Sequence, residues 1–134
     1  METTHVVTCF LEHQGKILLL RRSGQVGSYR QKWAGISGYV EESNTPLNQA
    51  WQELEEETSL SGDDLRLLKE GATLEVIDAD LGKNWIVHPF RFYLEQPDKL
   101  RIDWEHSEYR WIIARDLQGY DTVPGLWEAW IRVQ

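Results

Sequence analysis

The chain has 134 residues, 22 acidic against 14 basic side chains, and a formal net charge of -8 at pH 7. That length suits one domain spanning residues 1–134, large enough to bury roughly two thirds of the surface its unfolded form exposes. The acidic balance argues against a nucleic-acid duplex as partner, because duplex affinity rests on neutralising phosphates with Lys and Arg; an anionic ligand would need a bound cation, although a plain solubilising surface is the commoner cause of such a balance.

In chain order, Val6-Val7-Thr8-Cys9-Phe10-Leu11 is rich in β-branched residues and predicts a strand. Cys9 is the single cysteine, so no internal disulfide or cysteine metal cluster forms, and a small core hydrophobe is expected. Gln14-Gly15 offers a turn into a second strand, Lys16 to Arg22. The longest apolar run, Ile17-Leu18-Leu19-Leu20, lies there and is far short of a bilayer span. With no basic, then apolar, N-terminal signal either, a cytoplasmic protein without a membrane partner is expected. Residues 23–31 hold Gly24, Gly27 and Ser28 and predict a loop, and residues 32–40 read as short extended pieces punctuated by glycine.

Thr45-Pro46 is a helix-start signal, with Thr45 as cap and Pro46 where its missing N–H costs nothing. The helix is expected to run to about Thr58, with Leu47, Ala50, Trp51, Leu54 and Thr58 as its packing stripe. After a turn at Ser61-Gly62-Asp63-Asp64, strands are expected at Thr73–Ile77, Trp85–Leu94 and Tyr109–Ile113, then a second amphipathic helix over Gly125–Val133. This order predicts an α+β fold, an α/β/α sandwich around a mixed β-sheet.

Glu53, Glu56 and Glu57 stand at i, i+3 and i+4 and so share one helix face, while Glu55 points away. Each like-charge pair costs about 0.2–0.5 kcal/mol, and each carboxylate near the negative end of the helix dipole about 0.3–1 kcal/mol more. A divalent cation removes both penalties; magnesium is held by a few carboxylates plus waters and phosphate oxygens. A solvated acidic face is the competing interpretation. Upstream, Gly35, Ser37 and Gly38 supply backbone that can approach a ligand or metal closely.

Gly38, five residues, Asn44, seven residues, then Gln52-Glu53-Leu54-Glu55-Glu56-Glu57-Thr58-Ser59-Leu60 resembles the Nudix box. Its pattern is Gly, five residues, Glu, seven residues, Arg-Glu, an apolar residue, any residue, Glu-Glu, any residue, Gly and an apolar residue. Gly38, Glu53, Leu54, Glu56, Glu57 and Leu60 fit it. Trp33 leading to Ser37-Gly38-Tyr39-Val40-Glu41, and Glu105 leading to Trp111, resemble the family's flanking segments. Asn44 stands for Glu, Gln52 for Arg and Ser59 for Gly. An Asn44–Gln52 hydrogen bond is expected to replace the ion pair that braces the family's loop. Ser59 in a left-handed helix end should cost on the order of 1 kcal/mol, or else the helix ends differently.

The resemblance implies a Nudix-type hydrolase that cleaves the phosphoanhydride bond of a nucleoside diphosphate linked to another moiety, such as ADP-ribose, by metal-assisted attack of water. Mg2+, with Mn2+ as substitute, would lie on Glu53, Glu56 and Glu57 beside Gly38. The general base is Glu53 or Glu57, or else Glu105 from the late acidic loop, with Glu108 in reserve. Arg21, Arg22 and Arg30 are candidates for the phosphates, and Trp33 or Trp85 for stacking on a base. Asp78 and Asp80 are expected to serve a turn, His106 to be a solvated loop residue, and His5, His13 and His88 lack metal-ligand spacing. The family often forms homodimers. The three departures support one alternative, a non-catalytic ligand-binding or regulatory module on the same fold.

Overall fold

A computed structural model describes residues 1–134. Gln14 and Gly15 both have positive φ, 48° and 80°, and close a two-residue hairpin between β1 (Glu2–His13) and β2 (Lys16–Arg22). The two strands pair only next to that turn, at Glu12↔Ile17 and His13↔Lys16. Farther out they part. One edge of β1 is taken by β4 (Ile36–Tyr39), antiparallel over Val6 to Cys9, and the other runs parallel to β7 (Lys83–Leu94) from Glu2↔Lys83 to Glu12↔Tyr93. β2 pairs antiparallel with β3 (Trp33–Ala34) and with β8 (His106–Ile112). β5 (Leu65–Glu70) and β6 (Leu74–Asp78) complete the sheet on β7. The sheet is therefore mixed and eight-stranded.

Helix α1 (Pro46–Thr58) covers one face of this sheet and α2 (Leu126–Ile131) the other, giving the expected α+β sandwich. The Ile17–Leu20 run is apolar without alternation because both faces are covered: Leu18 and Leu20 pack towards Ala50 and Leu54 of α1, Ile17 and Leu19 towards Leu126 and Trp130 of α2. Leu20 and Leu54 are completely buried, each contributing about 1.5–3 kcal/mol. Cys9 is a buried free thiol within the α1-side core, as its neighbours predicted. No helix is long and apolar enough to cross a membrane.

The elements differ from expectation mainly at strand ends. β1 starts at Glu2 and β8 at His106, earlier than local apolarity indicates, and β5 was not anticipated. β5 carries Arg66, Lys69 and Glu70 on an exposed edge, where a ladder forms without the apolar alternation that marks a half-buried strand. Two short 3-10 turns, Pro97–Lys99 and Ala114–Gly119, were likewise not marked.

Candidate active site

The first turn of α1 is fixed by its cap: Thr45 is extended, and its hydroxyl accepts from the Asn48 N–H at 3.2 Å. At the other end Ser59 adopts the left-handed conformation, φ 63° and ψ 17°, and its N–H donates to the Glu55 carbonyl at 3.0 Å. The helix thus ends where a glycine end was expected, with serine carrying the strain.

Between these ends the acidic side chains lie in three different environments. Glu57 is 2% exposed, Glu53 is half-buried and Glu56 is exposed. Gly38 makes room for Glu53, since a Cβ at Gly38 would stand 2.2 Å from the Glu53 carboxyl carbon. Gln49, 1% exposed, grips Glu53 from the preceding turn: its Nε2 donates to Glu53 Oε1 at 3.0 Å. Its own Oε1 accepts from the Glu41 N–H at 3.1 Å and from Asn44 Nδ2 at 2.9 Å.

Burial first, then the neighbouring Glu53 carboxyl and the charges of Glu105 and Asp103, push the Glu57 carboxyl up to about 11. Its Oε2 is buried with no hydrogen-bond partner. Glu105, half-buried, is also raised, first by burial and then by Asp103 and Glu53. Such a group has negative charge in excess and one carboxyl oxygen unused, which fits a hard divalent cation with oxygen ligands. In the cation-free chain no three His, Cys, Asp or Glu side chains are grouped closely enough to grip an ion, and Gln49 and Gln52 donate hydrogen bonds to Glu53 and Glu56. His106 stands behind Glu57, its Nε2 3.6 Å from Glu57 Oε1 and its Nδ1 3.3 Å from Asp103 Oδ1.

Beside the carboxylates opens a cavity of about 650 Å³. Glu53, Glu56 and Glu105 line it together with Arg22, Lys83, Tyr39, Trp85 and Trp104. Tyr39 and Trp85 stack, with ring centroids 6.2 Å apart and planes 30° from parallel, and Lys83 Nζ lies 5.6 Å from the Trp85 centroid. The Trp85 Nε1–H donates to the Tyr29 hydroxyl at 3.0 Å, which donates to Asp78 at 2.6 Å, so one wall is built as a chain of hydrogen bonds. Asp78 also caps its turn by accepting from the Leu81 N–H at 3.3 Å, in line with the turn role expected of it.

A family model, described as NUDIX domain, matches residues 1–130. The chain belongs to the NUDIX domain family. Solved structures share the NUDIX fold with it at low identity. A MutT protein from Methanosarcina mazei is 22% identical with a TM-score of 0.80, covering 97% of this chain and 91% of the other. A MutT NUDIX hydrolase from Burkholderia pseudomallei is 19% identical with a TM-score of 0.77, over 100% of both chains. The NUDIX domain of Shewanella oneidensis NrtR, complexed with ADP ribose, is 16% identical with a TM-score of 0.72, covering 98% of this chain and 88% of its own. No curated protein matches.

Within the NUDIX frame several expectations are corrected. Asn44 does not bond to Gln52; its partner is Gln49, and Gln52 Nε2 donates instead to Glu56 at 3.2 Å and to Glu41 at 3.5 Å. The cause is helical phase: Gln49, Glu53 and Glu57 form one i, i+4 ridge facing the loop, and Gln52 and Glu56 form the next ridge outwards. Arg21 is paired with Glu108 at 3.5 Å and donates to the Gln31 carbonyl, and Arg30 donates to the Val26 carbonyl, so neither lines the cavity. Trp33 is 8% exposed, set edge-on to Tyr120 and under Arg110 in the α2-side core, and it too is absent from the cavity wall. Arg22 and Trp85 do line it. His106 is buried against Glu57 and not solvated. Gln49 drew no attention in the sequence, although its place four residues before Glu53 was a usable signal.

Proposed function

We propose that residues 1–134 act as a NUDIX hydrolase that cleaves the phosphoanhydride bond of a nucleoside diphosphate linked to another moiety. One observation carries this reading: a buried carboxyl, Glu57, with an unpartnered oxygen and an affinity for protons raised to about 11, stands one helical turn from Glu53, which lines a cavity that also holds cationic and aromatic side chains. Glu53, Glu56 and Glu57, beside the Gly38 backbone, would hold Mg2+ or Mn2+. When bound, the ion neutralises phosphate charge and acidifies the attacking water.

The remaining work falls to the chain's own residues. Arg22, whose Nε donates to the Ser28 carbonyl at 3.0 Å, and Lys83, paired with Glu2 at 2.7 Å, bring positive charge to the cavity wall for phosphate oxygens, and Trp85, with Tyr39, offers an aromatic face for a planar base. Glu105, which lines the cavity and whose carboxyl is raised first by burial, accepts the proton of the attacking water. The water oxygen forms a new bond to phosphorus as the anhydride P–O bond breaks, and the bridging oxygen leaves with the other product. An ADP-ribose-like compound fits this division into an anionic centre and an aromatic wall.

A second reading, a binding module on the same fold, is favoured by Asn44, Gln52 and Ser59, which depart from the family's box pattern. A panel of nucleoside diphosphate compounds and triphosphates, assayed for product release with Mg2+ or Mn2+ and with chelator, separates the two. Cation-dependent cleavage of at least one compound is expected. Binding of a diphosphate compound with no cleavage across the panel would establish the module instead.

A further inference from the structure

The strand β8 contains an irregularity that the carboxylate site needs. Across β2 and β8, Ile17 faces Ile112 and Arg21 faces Glu108, but the next residue, Arg22, faces His106. Ser107 is thus an extra residue, a bulge. In a regular strand His106 would share a face with Glu108, Arg110 and Ile112, the face that carries the Arg21 ion pair and the Arg110–Trp33 stack. The bulge instead turns its imidazole to the α1 side, where its side chain is 2% exposed.

There the ring lies between two carboxyls. Its Nε2 is 3.6 Å from Oε1 of Glu57, and its Nδ1 is 3.3 Å from Oδ1 of Asp103. The same Asp103 oxygen accepts the Glu105 N–H at 3.1 Å, whereas the ring's Nδ1, like Glu57 Oε2, is buried with no hydrogen-bond partner. Glu57 is left with one oxygen towards His106 and the other, Oε2, buried and unpartnered.

We propose that His106 is a positioning residue: its ring, packed 3.6 Å from Glu57 Oε1 and making no hydrogen bond to it in the cation-free chain, closes that side of the carboxyl so that Oε2 is presented to the divalent cation. This deepens the hydrolase reading above and rests on it. A ring holding a ligand carboxylate from behind limits the rotation of that carboxylate, and loss of such partners typically weakens metal binding about 10–100-fold. The bulge is the structural means: in a regular ladder Ser107 would stand opposite Arg22 on the α1 side, and the shift puts the longer imidazole of His106 there in its place.

The test uses the full chain with His106→Leu, which removes both ring nitrogens, and His106→Gln, whose amide nitrogen can reach the place of Nε2. Two readouts are taken as functions of Mn2+ concentration: the thermal shift without substrate, and turnover of the best compound from the panel. His106→Leu is expected to need about 10–100-fold more cation in both, with an unchanged KM for substrate at saturating cation. His106→Gln should stay within about threefold of wild type, a rescue that mere core filling would not produce. If His106→Leu does not fold, His106→Asn, which keeps an amide near Nδ1 and withdraws it from Nε2, should show the weakened cation response. Wild-type cation dependence in a folded Leu or Asn variant overturns the inference while the hydrolase reading stands. A wild-type chain without any cation response or turnover overturns both.

Discussion

Gln49 Nε2 donates to Glu53 Oε1 at 3.0 Å, and this bond joins the acidic ridge of α1 to the loop before it. Through its Oε1 the same amide holds the Glu41 backbone and the Asn44 side chain. One buried neutral side chain thus braces the loop without burying a charge, which avoids the desolvation cost of an ion pair.

The brace predicts the outcome of two double-mutant cycles read by urea denaturation. Asn44→Ala with Gln49→Ala should show a coupling of about 0.5–3 kcal/mol, as groups in one hydrogen-bond network do. Asn44→Ala with Gln52→Ala should be additive within about 0.5 kcal/mol, since the two side chains share no bond. Coupling in the second pair and none in the first would show that the bracing amide is assigned to the wrong turn.

Glu57 predicts a pH dependence of the cation-free chain. Its folded value lies above its unfolded one, so the folded state keeps a proton that the unfolded state releases, and stability falls as pH rises from about 4.5 towards about 11. Between pH 6 and 8 in chelator the contribution is a loss of up to about 1.4 kcal/mol per pH unit. Glu57→Gln removes it, raises cation-free stability at pH 7 by on the order of 2 kcal/mol, and abolishes turnover. Denaturation curves at pH 6, 7 and 8 measure the slope; identical slopes for wild type and Glu57→Gln would remove Glu57 as their source.

Magnesium should stabilise the folded chain by mass action, about 2.7 kcal/mol at 100 times its dissociation constant, equivalent to a rise of several degrees in Tm. Sodium at equal ionic strength is the control, because screening of the -8 charge also stabilises. Glu53→Gln or Glu56→Gln should shrink the magnesium-specific part alone. A shift with magnesium no larger than with sodium, with a non-hydrolysable diphosphate present as well as without it, counts against the metal site.

Gly38→Ala tests how closely β4 and α1 approach. The added methyl would stand 2.2 Å from the Glu53 carboxyl carbon, so Glu53 must leave its place beside Gln49. Because the atoms met are the far end of a flexible side chain, a stability loss of only about 0.5–1.5 kcal/mol, that of the lost Gln49 bond, is expected, with a weakened magnesium shift. Stability and magnesium shift both equal to wild type would mean that Glu53 does not need this position.

The local signals in the sequence determined the mixed α+β frame, the span of α1 with its Thr45 cap, the left-handed end at Ser59 and the shared face of Glu53, Glu56 and Glu57. These follow from helical phase, capping chemistry and the apolar patterning of adjacent residues, all of which act over a few positions. Residue type and an expected place on the strand and loop facing the site make Arg21, Arg30 and Trp33 substrate candidates, and tertiary pairing decides otherwise: Arg21 meets Glu108 across β2 and β8, and Trp33 is consumed by the α2-side core. The wall formed by Tyr39 and Trp85 needs two strands distant in sequence to be brought alongside β1. His106 faces Glu57 only because the ladder with β2 slips by one residue, and a slip of one residue reverses the face of a strand side chain. Register of that kind is set by partners far along the chain, so no local pattern around His106 could have announced it.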